Sequence, residues 1–356
     1  MTVERVCKIQ ENLTPDTALL VTSEANRFYL TGFHSSAGVV VVTKEKAYFL
    51  IDFRYVEKAG SVVKSCEVIL SLRSESEVLE LLKNNGVKSL YVEADIMSIS
   101  ELARYKAALP DIEILTEDKM DRVLEDLRAV KSEKELSLIR AAQKLTDETF
   151  TYILDRIEAG RSEIDVMLDM EFYMRKLGSE GVSFDFIVVS GKNSSLPHGV
   201  PSDKLIEVGD FITMDFGAVV EGYRSDMTRT VALGCVSEEQ RKVYDTVLAA
   251  QKAAIEAVRP GLVCKDIDKV ARDLIYGAGY EGCFGHGLGH SVGIEIHESP
   301  AFNMRCETVL RPGTVMTVEP GIYLENKFGV RIEDMVYVTE DGCIDITESE
   351  RELIIL

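Results

Sequence analysis

Nowhere in the 356 residues is there a run of about 18 apolar residues, so no segment is suited to crossing a membrane as a helix. The N-terminus, M-T-V-E-R-V-C-K-I-Q, lacks the charged-then-apolar pattern of a signal peptide, and a cytoplasmic protein is expected. Positive charge is in short supply: 40 Lys and Arg stand against 60 Asp and Glu, a formal net charge of −20. That balance argues against nucleic acid and against anionic membrane as partners. The seven cysteines, Cys7, Cys66, Cys235, Cys264, Cys283, Cys306 and Cys343, are odd in number, scattered and without any C-x-x-C. They read as reduced small hydrophobes and exclude a disulfide frame or a zinc ribbon. No low-complexity segment interrupts the chain. Histidine is also sparse, five in all, so the place where it clusters carries information.

What is present is enough residues for two domains with substantial cores, at an ordinary 46% hydrophobic content. Up to about residue 115 strand and helix signals alternate. Strands are expected at 18–22, 38–43, 47–52, 89–93 and 112–115, and helices at 2–12, 74–85 and 98–109, the second opened by a Ser74/Glu77 capping box. This predicts an α/β N-terminal domain over residues 1–126. His34 in T-G-F-H-S-S reads either as a structural or surface residue or as one at a substrate's edge. The charge-rich stretch L-R-A-V-K-S-E-K-E (127–135) marks the boundary. Residues 127–356 then show two helices and a hairpin, twice over, the pattern of an α+β domain with antiparallel sheet backed by helices.

The repetition is visible residue by residue. G-D-F-I-T-M-D-F-G from Gly209 aligns with G-T-V-M-T-V-E-P-G from Gly313, and positions 209, 213, 215 and 217 map onto 313, 317, 319 and 321 with one step of 104 (313 − 209). In each copy the apolar side chains alternate, placing the carboxylate of Asp215 or Glu319 on one strand face. A turn at Val220-Glu221-Gly222 would return the first strand through Asp226, and a hairpin symmetric about position 220.5 sets Asp215 directly opposite Asp226. A loop at 324–328 likewise sets Glu319 opposite Glu333. Side chains so opposed lie about 4.5–5.5 Å apart at Cβ, where like charges repel. A pseudo-twofold domain with four converging carboxylates follows.

Between the two hairpins lies G-H-G-L-G-H-S-V-G-I-E-I-H (285–297), which holds three of the five histidines. Gly285, Gly287, Gly289 and Gly293 make a helix improbable, so this is an extended segment with His286 and His290 on one side and His297 beyond a bend. Singly, each acid or histidine reads as an ordinary structural group. Together they call for cations, because four carboxylates buried without partners are prohibitively costly. Two divalent ions balance the charge, the His290 imidazole completes the donors, and such a set suits Mn²⁺, Co²⁺ or Zn²⁺. The chemistry expected is hydrolysis.

The motifs N-R-F-Y-L-T-G-F, I-D-F-R-Y, V-V-S-G-K-N-S-S-L-P-H, M-D-F-G, S-D-M-T-R-T, G-H-G-L-G-H-x6-H-E, T-V-E-P-G-I-Y and G-V-R-I-E-D span nearly the whole chain. Through them the chain resembles the Xaa-Pro peptidases, aminopeptidase P and prolidase, which share the pita-bread fold with methionine aminopeptidases and creatinase. The resemblance implies that Asp215 binds one metal, that Asp226 and Glu333 bridge both, and that His290 and Glu319 complete the other. Glu319 would also move the proton of the nucleophilic water. It further implies that His198 and His297 face the substrate and stabilise the oxyanion, and that His286 lines the site without a metal role. Arg331 either meets a substrate carboxylate or holds Asp215. A scissile bond to proline has no N–H to donate, so recognition must rest on ring shape, with Phe184, His198 and His297 as the expected pocket.

The expected activity is release of the N-terminal residue before proline from a proline-containing peptide, with two divalent ions, Mn²⁺ ahead of Co²⁺ or Zn²⁺, in a homodimer. The alternatives are an Xaa-Pro dipeptidase using the same site, a methionine aminopeptidase-like hydrolase, disfavoured by the N-terminal domain, and a non-catalytic pita-bread binding module, disfavoured by the intact ligand set.

Overall fold

The computed structural model describes every residue except Arg73, and Ser74 by its backbone only, so the expected Ser74/Glu77 capping box lies outside the described residues. The chain divides into two compact units, Met1–Leu127 and Arg128–Leu356, one residue beyond the boundary expected from the sequence.

The first unit holds helices α1 (Thr2–Glu11), α2 (Glu24–Thr31), α3 (Val56–Val62), α4 (Ser74–Asn84) and α5 (Ile99–Ala108), with α6 (Lys119–Ala129) running across the division. Its strands are β1 (Thr17–Val21), β2 (Val39–Thr43), β3 (Ala47–Ile51), β4 (Glu67–Leu70), β5 (Ser89–Val92) and β6 (Glu113–Leu115). They form one mixed sheet in the order β4-β3-β2-β1-β5-β6. Central strands β1 to β3 are buried along almost their whole length, which is why they read as unbroken Val/Leu/Ile runs rather than alternating ones. Two helices and a strand were not expected. Helix α2 covers N-R-F-Y-L-T, whose β-formers suggest a strand; its Ser23 cap, accepting from Asn26 N, and the left-handed Gly32 at its end settle the helix. Helix α3 and β4 are short and partly exposed, with weak periodicity. His34 stacks on Phe28 with ring centroids 3.8 Å apart.

The second unit opens with α7 (Glu133–Leu154) and α8 (Glu163–Lys176), each started by a capping box, Ser132 with Glu135 and Ser162 with Asp165. Strand β7 (Ile187–Ser190), a 3₁₀ turn (Gly191–Ser195), β8 (Phe211–Phe216) and β11 (Met227–Ala232) follow, with the small ribbon β9 (Val219–Val220) and β10 (Tyr223–Arg224) at the tip of the hairpin. The second half repeats this with α9 (Glu238–Ala257), opened by the Ser237/Gln240 box, and α10 (Cys264–Gly277). Then come β12 (Gly289–Ser291), β13 (Glu298–Phe302), β14 (Val315–Val318), the ribbon β15 (Gly321–Leu324) and β16 (Phe328–Arg331), β17 (Asp334–Val338) and β18 (Cys343–Asp345). Both main sheets are antiparallel, ordered β11-β8-β7 and β13-β12-β14-β17-β18.

Each helix pair covers one face of its sheet. Phe150 and Ile153 of α7 and Met170 and Met174 of α8 pack with Ile212, Met214 and Phe216 of β8. Val243, Tyr244 and Val247 of α9 and Ile267, Ala271 and Ile275 of α10 pack with Met316 and Val318 of β14. Burial of each of the larger aliphatic and Phe side chains contributes about 1.5–3 kcal/mol. Because strand side chains alternate, burying the even-numbered positions commits Thr213, Asp215, Thr317 and Glu319 to the opposite faces. The fold thereby aims both carboxylates the same way.

Candidate functional site

The register of the two hairpins sets the acid positions. Asp215 pairs with Thr228 and Phe216 with Met227, so Asp226 lies two residues beyond the partner of Asp215. The expectation that Asp215 and Asp226 stand directly opposed is therefore corrected: Asp226 is the diagonal neighbour on the same face, displaced past the strand end. The shift arises at the tip, where Glu221 (φ 44°) and Gly222 (φ 78°) form a two-residue left-handed turn between paired Val220 and Tyr223. In the second hairpin Val318 pairs with Asp334 and Gly321 with Arg331. Stepping inward from either ladder brings Glu319 opposite Glu333, as the sequence predicts.

All ten expected site residues line one cavity of about 890 Å³: Phe184, His198, Asp215, Asp226, His286, His290, His297, Glu319, Arg331 and Glu333. Asp226, His290 and Glu333 each turn a donor atom toward a common point, within 4.8 Å of one another. His290 Nε2 lies 3.5 Å from Asp226 Oδ2 and 3.5 Å from Glu319 Oε1. The acids show a consistent asymmetry. Asp215 Oδ2 accepts from Arg331 Nη2 at 2.6 Å and Glu333 Oε2 from the Thr228 hydroxyl at 2.7 Å. Asp215 Oδ1, Asp226 Oδ1 and Glu333 Oε1 are buried with no hydrogen-bond partner among the described residues. Buried carboxylate oxygens do not stay unpaired without cost. Three of them beside an imidazole lone pair form a donor set that divalent ions fit.

Electrostatics agree. Burial, reinforced by mutual repulsion, pushes Asp226 and Glu333 well above the usual carboxylate range and Glu319 up to about 8. Burial and crowding thus resist ionisation of these acids, and a bound cation would favour it. Burial, with His297 adding to it, lowers His290 to about 4, leaving a neutral imidazole. Its Nδ1 lies 3.2 Å from the Ser291 carbonyl, which assigns the proton there and leaves Nε2 open toward the acids.

Arg331 has few donors to spare. It reaches Asp215, the Thr228 hydroxyl at 3.0 Å, the Pro197 carbonyl at 3.2 Å and the Tyr323 hydroxyl at 2.8 Å. Of the two readings left open for it, this geometry fits holding Asp215. Tyr323 in turn meets His286 Nε2 at 2.9 Å, and His286 Nδ1 meets the Gly287 carbonyl at 2.8 Å. His286 is thus occupied away from the acids. Phe184 lies in the irregular stretch before β7, where the chain leaves the sheet after Ser183.

Several contributors escaped the sequence reading. Tyr323 and Thr228 lie inside quoted motifs, E-P-G-I-Y and S-D-M-T-R-T, but only the folded register shows what they touch. Glu163, wholly buried, accepts from Ser190 N and Oγ, Asn193 Nδ2 and Ser202 N and Oγ, so one carboxylate holds both ends of the loop that carries His198. Ile164 and Met167 of α8 add an apolar wall to the cavity.

Residues 137–340 match metallopeptidase family M24, and residues 8–130 match the creatinase/prolidase N-terminal domain. The chain is 44% identical over 339 residues to the peptidase YqhT of Bacillus subtilis, covering 95% of each. It superposes on the Xaa-Pro dipeptidase from Bacillus anthracis with a TM-score of 0.96 at 41% identity, covering 100% of both chains. On the X-Pro aminopeptidase from Thermotoga maritima the TM-score is 0.90 at 36% identity, covering 98% of this chain and 99% of the other. With its paired hairpins in the pita-bread arrangement, the chain belongs to metallopeptidase family M24 and carries a creatinase/prolidase N-terminal domain ahead of the peptidase unit.

Proposed function

We propose that this chain hydrolyses the peptide bond between an N-terminal residue and a following proline, using two divalent ions. The observation that carries the reading is the set of unpartnered buried oxygens of Asp215, Asp226 and Glu333 beside the open Nε2 of His290. Asp215, Asp226 and Glu333, with His290 and Glu319, would hold the ions, Mn²⁺ by preference among carboxylate-accepting metals. Bound there, the ions supply Lewis-acid polarisation of the scissile carbonyl and a water acidic enough to react near neutral pH.

The chain's own residues do the rest. The Glu319 carboxylate, whose Oε1 accepts from the Thr317 hydroxyl at 3.3 Å, receives the proton lost by the attacking water and passes it to the departing imino nitrogen. His198 and His297, both on exposed loop positions of the cavity wall, donate to the carbonyl oxygen as it takes up charge. The proline ring packs against Phe184 and the aliphatic wall. Two structural relatives, one named a dipeptidase and the other an aminopeptidase, bracket the peptide length. The full proposal is an Xaa-Pro aminopeptidase working as a cytoplasmic homodimer, with Xaa-Pro dipeptides as the competing substrate class.

Rates on Ala-Pro-Ala, Ala-Pro and Met-Ala-Ala test this, before and after chelation and on adding Mn²⁺. The expected result is cleavage of the proline peptides only, abolished by chelator and restored by Mn²⁺. Activity indifferent to chelation, or faster cleavage of Met-Ala-Ala, sinks the reading; tight Mn²⁺ binding without turnover of any peptide would favour a binding module.

A further inference from the structure

The loop from His290 to His297 is built around a pair of buried charges that belong to no ligand set. Lys131 lies in the short segment between α6 and α7, its side chain 1% exposed. Its ammonium donates to Ser291 Oγ at 2.9 Å and to Glu298 Oε2 at 3.0 Å. Ser291 directly follows His290, and Glu298 directly follows His297. One ammonium therefore ties together the two ends of the loop.

The middle of the loop folds onto the same carboxylate. Glu298 Oε1 accepts the backbone N–H of Ile294 at 3.0 Å and of Glu295 at 3.2 Å, and Gly293 packs so tightly that a Cβ there would collide with the carboxylate. From outside, Arg224 donates its N–H to Gly293 O and its Nε to Ile294 O, both at 2.9 Å. The result of this wrapping is that the His290 and His297 rings meet edge to face, centroids 4.5 Å apart and planes at 77°.

Charge balance alone does not require the lysine, because Arg128 also bonds Glu298. Lys131 is bonded on both sides, to Ser291 Oγ at one end of the loop and to Glu298 Oε2 at the other. Burying an ammonium is costly unless its partners are well placed; beside a longer bond to the Ala129 carbonyl at 3.5 Å, its two closest partners are the immediate neighbours of site histidines.

We propose that Lys131 is a positioning residue: by joining Ser291 to Glu298 it sets the separation of the His290 and His297 imidazoles, and so aligns the ring that ligates the ion with the ring that faces the substrate. The two roles rest on the function proposed above, whereas the ring geometry does not.

The test is Lys131→Met in the full chain. Outer partners that orient metal ligands are worth about 10–100-fold in affinity or activity. Calorimetric titration of the chelator-treated variant with Mn²⁺ should therefore show affinity about 10–100-fold weaker. On Ala-Pro-Ala kcat should fall comparably, with KM within about threefold of the parent. Mn²⁺ affinity and kcat within about twofold of the parent overturn the proposal, whatever happens to the thermal midpoint, and so does a rise in KM alone. Should Lys131→Met not fold, Ser291→Ala decides: affinity about three- to tenfold weaker supports the tie, an unchanged value refutes it. If the parent binds Mn²⁺ but cleaves no Xaa-Pro peptide, the substrate reading fails while the titration still decides the role of Lys131.

Discussion

Arg331 Nη2 stands 2.6 Å from Asp215 Oδ2, in a pair whose side chains are 4% and 13% exposed. Removing one member of a buried pair strands the other charge and typically costs about 3–5 kcal/mol. Arg331→Met is expected to lose stability of that order in urea denaturation and at least about a hundredfold in kcat/KM, since Tyr323 loses its donor at the same time. Arg331→Lys should recover part of the stability but little activity, because an ammonium cannot fork between Asp215, Thr228 and Tyr323. Equal activity in the lysine variant and the parent would show that charge alone matters at this position.

Acid crowding at the site makes the metal-free protein pH-sensitive in a defined direction. Glu319 is pushed to about 8 when folded, whereas an unfolded glutamate titrates at ~4.3. Between those values the folded state keeps a proton that the unfolded chain has lost, so stability is lost as pH rises. Asp226 and Glu333, raised by burial and then by their neighbours, act in the same sense. Lowered His290 and His286 oppose this below about pH 6.5, so chelated protein should show a thermal midpoint that falls from about pH 6.5 to about pH 8, and Mn²⁺ should stabilise it more at the upper end. A chelated midpoint that climbs over this window would contradict the arrangement of charges.

Glu333→Gln separates stability from function. The substitution deletes one of the mutually repelling buried acids while keeping an acceptor for the Thr228 hydroxyl, so the metal-free variant is expected to be more stable than the parent at pH 8, by about 1–3 kcal/mol. Hydrolysis and Mn²⁺ binding should both collapse. Denaturation of the two chelated proteins side by side checks the first, and metal analysis the second.

Gly289 lies where β12 crosses β14, and a Cβ there would overlap the Thr317 carbonyl and hydroxyl. Gly289→Ala must displace His290, whose N–H bonds the Thr317 hydroxyl at 3.0 Å. A loss of about 1–3 kcal/mol in stability with weakened Mn²⁺ binding is expected. Unchanged metal affinity would mean the strand can shift without moving the imidazole.

The duplicated G-x-x-x-T-x-[DE]-x-G frame made the site legible because a carboxylate among alternating apolar residues has only one face to occupy once the others are buried. The glycine-rich run around His290 was readable for a related reason: no helix survives four glycines, and close backbone approach is their usual purpose. The failures are equally physical. The Asp215/Asp226 register was misplaced because a two-residue turn with two left-handed residues shifts the pairing, and that shift is set by turn geometry rather than by composition. Helix α2 was missed because its β-formers point to a strand while its caps and packing hold it helical.

By itself the sequence determined which residues could meet an ion: the apolar alternation, the one-step duplication and the histidine cluster follow from chain-local rules of strand and turn. Only the tertiary structure decided which oxygen of each acid is spent on Arg331 or Thr228 and which is left bare, and that Lys131, Glu163 and Tyr323 support the site from outside it. Those contacts join residues tens to more than a hundred positions apart, and long-range hydrogen bonds leave no local period to read.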